Sequence, residues 1–224
     1  MANLASRMVM RDYIRISEEI VLLAPHARIL DWGCGYGQMS WLLLRHGLGV
    51  TSYDVGAAAD AEILPFHRDL NVIVGKDPVR LPFSNSEFDA VLSCGVFEHV
   101  PDEEGSLAEI HRVLRPGGLF LLYNLPNRYS YKEFLLERLH LGYSHERKYT
   151  VGTIRPLLQK HGFRVTRSRR GGMLPHMLSG IPSPIGGAYE RAASVLYPVD
   201  RLLSRAPLMN SVAEALEILA QVAP

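Results

Sequence analysis

Cysteine is nearly missing. Cys34 and Cys94 are the only two among 224 residues, too few for a disulfide framework, and a reducing cytoplasm is the expected setting. No Cys/His pair has zinc-ligand spacing, so no metal site is expected. Neither an internal repeat nor a low-complexity tract interrupts the chain. The N-terminus carries Arg7, Arg11, Asp12, Arg15, Glu18 and Glu19 and no long apolar core, which excludes a signal peptide or a spanning helix there. Net charge is also close to absent, at +1, but the balance is uneven. Residues 1–127 hold 10 Lys/Arg against 16 Asp/Glu, residues 128–206 hold 14 against 5, and residues 207–224 hold two acids and no base. The basic back half suits an anionic substrate, a lipid headgroup or nucleic acid, or it serves solubility alone.

At 47% hydrophobic, a chain of this length can bury one sizeable core, and a single domain spanning 1–224 is expected. The pattern is one of alternation. Val9, Tyr13, Ile16, Ile20 and Leu23 recur at helical steps within an N-terminal segment, 1–24. Short apolar runs then end on Asp31, Asp54, Gly75 and Cys94, with helical segments at 39–46 and 103–114, and a fifth run covers Leu119 to Asn124. The stretch 55–70 is ambiguous, broken by Pro65. A helix over 151–161, a strand over 163–167, a loosely patterned insertion over 171–210 and a short C-terminal edge strand within 211–224 complete the chain. Such alternation predicts an α/β, Rossmann-like doubly wound sheet, mostly parallel and seven-stranded, with helices on both faces and ligand at the carboxyl ends of the strands.

The organising stretch is Ile29-Leu30-Asp31 followed by Gly33, Cys34, Gly35, Tyr36 and Gly37, then an apolar helix. Strand, glycine turn, helix is the arrangement in which backbone approaches a nucleotide-like ligand closely. The third glycine comes two residues after the second, one short of the dinucleotide G-x-G-x-x-G spacing.

Together with Asp54, Asp77-x-x-x-Leu81-Pro82-Phe83, Phe88-Asp89-x-Val91, and Glu98-His99-Val100 running to Arg112-Val-Leu-Arg-Pro116-Gly117-Gly118, that turn resembles the class I S-adenosylmethionine-dependent methyltransferases. The branch it is similar to includes the ubiquinone and menaquinone methyltransferases. The likeness covers residues 25–125 and extends weakly through His145-x-x-x-Tyr149-Thr150 and Gly162-Phe163-Arg164-Val165. It implies S-adenosyl-L-methionine as cofactor. Asp31, Gly33, Cys34, Gly35 and Gly37 would then border its methionine part, and Asp54 would accept from both ribose hydroxyls. Asp77 and Pro78 would meet the adenine, and Cys94 and Gly95 would lie near the sulfonium. Asp77 could instead be a turn former before Pro78.

A sulfonium is already activated, so the protein needs chiefly to align the acceptor, with a base only for a weakly acidic one. Candidates where the sheet opens to substrate are His99 after the fourth strand, Asn124 and Tyr123 at the fifth, and His145 in the loop of the substrate-side segment 126–170. Glu98-His99 could begin a metal site, but helix entry and packing are the plainer expectation. Asn124-Leu-Pro-Asn127 resembles the amino-group DNA methyltransferase signature but follows the fifth strand instead of the fourth. No aromatics interleave Arg167, Arg169 and Arg170, so no nucleic-acid partner is expected.

The insertion mixes Met173, Leu174, Met177, Leu178, Ile181, Ile185, Val195, Leu196, Leu202 and Leu203 with Arg191, Arg201 and Arg205. It is read as an apolar lid with a basic rim over a small amphiphilic acceptor, or as a peripheral membrane contact through 171–206; added core or a dimer contact are the alternatives. The expected activity is methyl transfer to oxygen or carbon of such an acceptor. Competing readings are a non-catalytic cofactor-binding scaffold and a nicotinamide-dependent oxidoreductase, the latter disfavoured by the glycine spacing.

Overall fold

In chain order the elements are α1 (Arg7–Leu23), β1 (Arg28–Trp32), α2 (Gln38–Arg45), β2 (Gly49–Asp54), β3 (Val72–Val74), β4 (Phe88–Cys94), a 3₁₀ turn (Phe97–His99) and α3 (Glu103–Val113). They continue with β5 (Leu114–Pro126), α4 (Tyr131–Leu139), α5 (Val151–Lys160), β6 (Phe163–Gly171), α6 (Ser183–Arg191), α7 (Ala193–Leu203), a second 3₁₀ turn (Met209–Val212) and β7 (Ala215–Val222). This computed structural model describes residues 6–56, 70–140, 144–176 and 183–223. Most of the ambiguous stretch 55–70, and Met177, Leu178 and Ile181 of the insertion, lie outside the described residues.

The strands form one seven-stranded sheet in the order β3-β2-β1-β4-β5-β7-β6. β1 pairs in parallel with both β2 and β4, β4 pairs in parallel with β5, and β7 runs antiparallel to both neighbours. The order reverses between β1 and β4, which opens a crevice at their carboxyl ends.

Burial on both faces follows from strand alternation. Leu30, Val91 and Leu122 face one core with Phe97, Leu107, Ile110, Ile154 and Leu158. Ile29, Leu92 and Leu121, their chain neighbours, face the other with Ile16 and Ile20 of α1 and Leu43 of α2. Each such aliphatic side chain removed from water stabilises the fold by roughly 2 kcal/mol. Asp102 caps α3 by accepting from the Gly105 N–H at 3.0 Å, and Glu103 and Glu104 in its first turn complement the helix dipole.

Three boundaries differ from those expected. The segment over 211–224 is not an edge strand: β7 lies between β5 and β6, and its Leu216, Ile218, Ala220 and Val222 are buried. Its alternation is too short to reveal how many partners it has, and β6 takes the edge instead. β6 itself runs on to Gly171 because β7 pairs with it along its whole length. Pro116-Gly117-Gly118 does not separate α3 from β5 but lies inside β5. The register steps from Phe88↔Leu114 to Ala90↔Leu119, absorbing those residues as a bulge, with Gly117 at φ +73°.

Candidate active site

The crevice is floored by the turn after β1. Tyr53 O accepts from the N–H groups of Gly33 and Cys34 at 2.8 and 3.0 Å, tying that turn to β2. Gly35 has φ +52° and open space where a Cβ would stand, so nothing packs against its bare backbone there. Gly37, at φ +80°, is different: a Cβ there would run into Leu70. An unobstructed glycine backbone at a strand–helix junction lets a ligand approach the main chain closely.

Asp54 holds this turn directly. Its Oδ2 accepts from Gly35 N–H at 2.8 Å and its Oδ1 from Gly56 N–H at 2.7 Å, and lone pairs remain on both oxygens for hydroxyl donors. Asp31 is 1% exposed and ends a relay in which Ser52 Oγ donates to Ser40 Oγ at 2.8 Å and Ser40 Oγ to Asp31 Oδ2 at 2.6 Å. Burial pushes its pKa up to about 6, only partly offset by the Ser40 hydrogen bonds. Cys34 is buried, and burial pushes its thiol pKa up, with Asp31 and Asp54 adding to the effect.

Asp77 lies at the rim beyond β3. Its Oδ1 accepts from Val79 and Arg80 N–H at 2.8 and 2.9 Å, and these bonds hold its pKa below the usual carboxylate range. That is the turn-forming role left open above, built around an exposed Pro78. Across the crevice, Cys94 ends β4 and Gly95 turns away at φ +70°, its N–H donating to Tyr123 O at 3.0 Å. Burial raises the Cys94 thiol pKa well above its ordinary value, reinforced by the charges of Asp31, Asp12 and Glu98.

Asn124 is one of the few non-glycine residues at positive φ, +57°. It sits where the β5–β7 register shifts between Leu122 and Leu125, and this turns its side chain so that Nδ2 donates to Cys94 Sγ at 3.4 Å.

His99 and His145 come together although 46 positions apart in sequence: their rings stack with centroids 5.6 Å apart, tilted by 39°. Two acids join them: Glu98, which the sequence offered beside His99 only as a possible start of a metal site, and Glu133, which it did not single out. Glu133, on α4, accepts from His145 through Oε1 (ring Nδ1, 2.8 Å) and Oε2 (backbone N–H, 3.0 Å), with Ser144 Oγ also donating to Oε2 at 2.9 Å. Burial alone would raise the Glu133 pKa, but these hydrogen bonds and the His145 charge outweigh it and bring it down to about 2.

Glu98, on the 3₁₀ turn, lies with Oε1 3.7 Å from His99 Nε2, while its buried Oε2 has no hydrogen-bond partner among the described residues. Burial raises its pKa to about 7, with its own backbone N–H and His145 opposing. His99 is pushed below its ordinary value by burial first, then by His145 and Arg147. The ligand atoms of Glu98, His99 and His145 all lie within 4.8 Å of one another, an arrangement that could hold a metal ion. No local spacing signalled it, because the third donor comes from a different part of the chain. An acid flanked by apolar Val96-Phe97 was the one local hint of a buried Glu98. Nothing local marked Glu133.

Tyr13 of α1 closes the other side; the charge of Cys94 first, then burial, then Asp31 push its pKa up. Asp31, Asp54, Cys94 and Gly95 thus converge on one crevice. Glu98, His99 and His145 form a cluster beside it, where the position of a Cβ on Gly95 lies 3.8 Å from Glu98 Oε1 and 4.0 Å from Asn124 Cβ.

A parallel sheet with its last strand antiparallel, a glycine turn after β1 and a carboxylate after β2 define the class I S-adenosylmethionine-dependent methyltransferase fold. Residues 30–122 match the family described as "Methyltransferase domain". Over 108 residues it is 35% identical to a sterol 24-C-methyltransferase of Gibberella zeae, covering 45% of this chain and 28% of that one. The chain spans about a third of the length of the curated relatives it matches.

Two solved structures share the fold. A methyltransferase from Thermotoga maritima, described as a possible histamine N-methyltransferase, superposes with a TM-score of 0.66 at 18% identity, over 99% of this chain and 92% of that one. The 1,6-didemethyltoxoflavin-N1-methyltransferase of Burkholderia thailandensis, solved with its substrate and S-adenosylhomocysteine, gives 0.59 at 22% identity, over 96% and 78%.

Proposed function

We propose that this chain binds S-adenosylmethionine in the crevice between β1 and β4 and transfers its methyl group to an oxygen or carbon atom of a small amphiphilic acceptor. The observation that carries the proposal is a glycine turn pinned by Asp54, with a cluster of two histidines and two carboxylates beside the same crevice. When bound, the cofactor supplies a methyl group on a sulfonium. Gly33, Cys34, Gly35 and Gly37 would cradle its methionine part, and Asp31 would orient the ammonium end. Asp54 would take the ribose hydroxyls, Asp77 and Pro78 the adenine, and Cys94 and Gly95 would border the transferred methyl.

His145 is the proposed base. The Nδ1–H tautomer that donates to Glu133 puts the lone pair on Nε2, and an ionised Glu133 stabilises the imidazolium formed when Nε2 takes a proton. His99 and Asn124 would hold the acceptor between base and methyl group.

The substrate class rests on two features. The sterol 24-C-methyltransferase likeness is to an enzyme whose name specifies an apolar acceptor. On α7, Val195 (67% exposed), Val199 and Leu202 (67% exposed) form an uncovered apolar stripe at helical spacing, flanked by Arg191 and Arg205. We read that stripe as a contact with a membrane surface from which an amphiphilic acceptor is taken. Two free cysteines favour a cytoplasmic working location.

Calorimetry with S-adenosylmethionine, S-adenosylhomocysteine and NAD tests the cofactor. Both sulfur compounds should bind the wild type, and Asp54→Ala should abolish that binding while the circular dichroism spectrum is unchanged. Binding of NAD alone would overturn the proposal. Label from a methyl-labelled cofactor appearing in extract components separates an enzyme from a binding scaffold.

A further inference from the structure

At the far edge of the sheet a second cavity, of about 340 Å³, opens between β6, α7 and the 3₁₀ turn at Met209–Val212. Arg169, Arg170, Arg201 and Arg205 line it with Ser168, Ser204 and Asn210, against a single carboxylate, Glu217. In the strand order β4-β5-β7-β6 it stands three strands from β4, roughly 15 Å across the sheet from the crevice.

Three of the residues that line it carry a buried polar atom that is incompletely satisfied. Ser204 is 7% exposed, and its buried Oγ has no partner among the described residues; the same holds for Nε of Arg169 and Nε of Arg170. The carboxylate of the cavity is already engaged. Glu217 accepts from Arg15 Nη2 at 2.5 Å and pairs with Arg169 Nη2 at 3.0 Å, while its contact with Arg201 is a long 4.0 Å. Arg170 and Arg205 make no ion pair among the described residues. Asn210 is fixed by donating to Ser204 O at 3.1 Å, which stiffens the mouth of the cavity.

Orphaned donors in native proteins are rare, because a buried N–H or O–H without a partner opposes folding. Three of them around one cavity, with an excess of guanidinium groups, mark a place built to receive acceptor oxygens. A single carboxylate offers two oxygens in one plane. A phosphate monoester offers three terminal oxygens and close to two negative charges, which suits guanidinium forks converging from β6 and α7.

We infer that this cavity is a binding site for a phosphate monoester, held by Arg170, Arg201, Arg205 and the Ser204 hydroxyl. It is independent of the methyl-transfer proposal, since none of these residues belongs to the crevice. The phosphate belongs to a soluble ligand or to a lipid headgroup presented next to the apolar stripe of α7.

Isothermal calorimetry of the full chain with inorganic phosphate, at ionic strength held constant with chloride, is the first test. Flotation with phosphatidylcholine vesicles, with and without phosphatidic acid, is the second. Phosphate should bind the wild type, and the Arg170→Ala/Arg205→Ala variant should bind it roughly 10- to 100-fold more weakly. Binding of inorganic phosphate without a phosphatidic acid effect assigns a soluble ligand; flotation that requires phosphatidic acid and Arg170 with Arg205 assigns a headgroup. Circular dichroism controls for folding, and Arg205→Gln alone, at an exposed position, gives the same comparison if the double variant fails to fold. Absence of binding in both arms overturns the inference, as does undiminished binding by the folded variants.

Discussion

Glu133 grips His145 twice, its two carboxylate oxygens accepting separately from the ring Nδ1 at 2.8 Å and from the backbone N–H at 3.0 Å. The double contact fixes both the position of the loop at 144–150 and the direction of the imidazole, so one acid on α4 sets the geometry of a residue well beyond its own helix. His145→Ala is expected to lower kcat by about 10²- to 10⁴-fold with cofactor affinity unchanged. Glu133→Gln keeps one acceptor oxygen and should lower kcat less. Single-turnover rates and calorimetry on both variants check this; equal kcat in His145→Ala and wild type would remove His145 from the chemistry.

The same carboxylate makes a prediction about stability. Its folded pKa of about 2 lies below the unfolded value, so the folded state binds fewer protons between about pH 4.5 and 2. The stabilisation is therefore present above that window and lost as pH falls through it. Glu98 has the opposite sign: with a folded pKa of about 7, the folded state holds a proton that the unfolded chain has released, and stability falls as pH rises from about 4.5 to 7. Urea denaturation should find Glu98→Gln close to wild type at pH 4.5 and more stable than wild type at pH 8. A difference that does not grow with pH would refute the buried state of Glu98, whose Oε2 has no partner among the described residues.

Asn124 occupies left-handed backbone at φ +57°. Asn124→Ala should destabilise the fold by about 1–2 kcal/mol, because a Cβ without a compensating side-chain hydrogen bond is strained there. Asn124→Gly relieves the strain and should remain nearer the wild type, although both variants lose the hydrogen bond to Cys94. Thermal unfolding of the pair separates backbone strain from side-chain contact. Both should share whatever loss of kcat follows from removing the amide.

The stripe on α7 is open to a direct test. Val195→Glu with Leu202→Glu places charge where 67% of each side chain is exposed, so folding should be unaffected. Sedimentation with liposomes should drop to background for the double variant if the stripe rests on a membrane. Unchanged sedimentation, or none for the wild type, would assign the stripe to another role.

Much of the crevice was legible along the chain because its parts are local. A strand, a turn and a helix between Arg28 and Arg45 carry their own signature: apolar Ile29-Leu30, Asp31 near the strand end, then glycines that the φ values of the turn require. Asp54 was legible for the same reason, standing at the end of the next apolar run. Strand alternation likewise announced two buried faces, since Ile29 and Leu30 cannot point the same way.

The lateral order of strands was less accessible, because it depends on which hydrogen-bonding edge each strand meets and not on its own side chains. Leu216, Ile218 and Ala220 look alike whether β7 has one partner or two, and only pairing with both β5 and β6 made it interior. Asp77 showed a similar limit: its place before Pro78 is compatible with a turn or a ligand, and the two backbone N–H groups it accepts from appear only once the loop is folded.

By itself, then, the amino-acid order determined the elements, the glycine turn and the carboxylates at strand ends, all of which depend on neighbours a few residues apart. Tertiary structure alone brought His145 and Glu133 to the adjacent Glu98-His99 pair, and Arg170 to the cavity lined by Ser204 and Arg205. The physical reason is that partners far apart in sequence are chosen by how helices pack against the sheet. Burial and pairing then change what the same residues can do, holding Glu133 ionised and leaving Glu98 poised near neutrality.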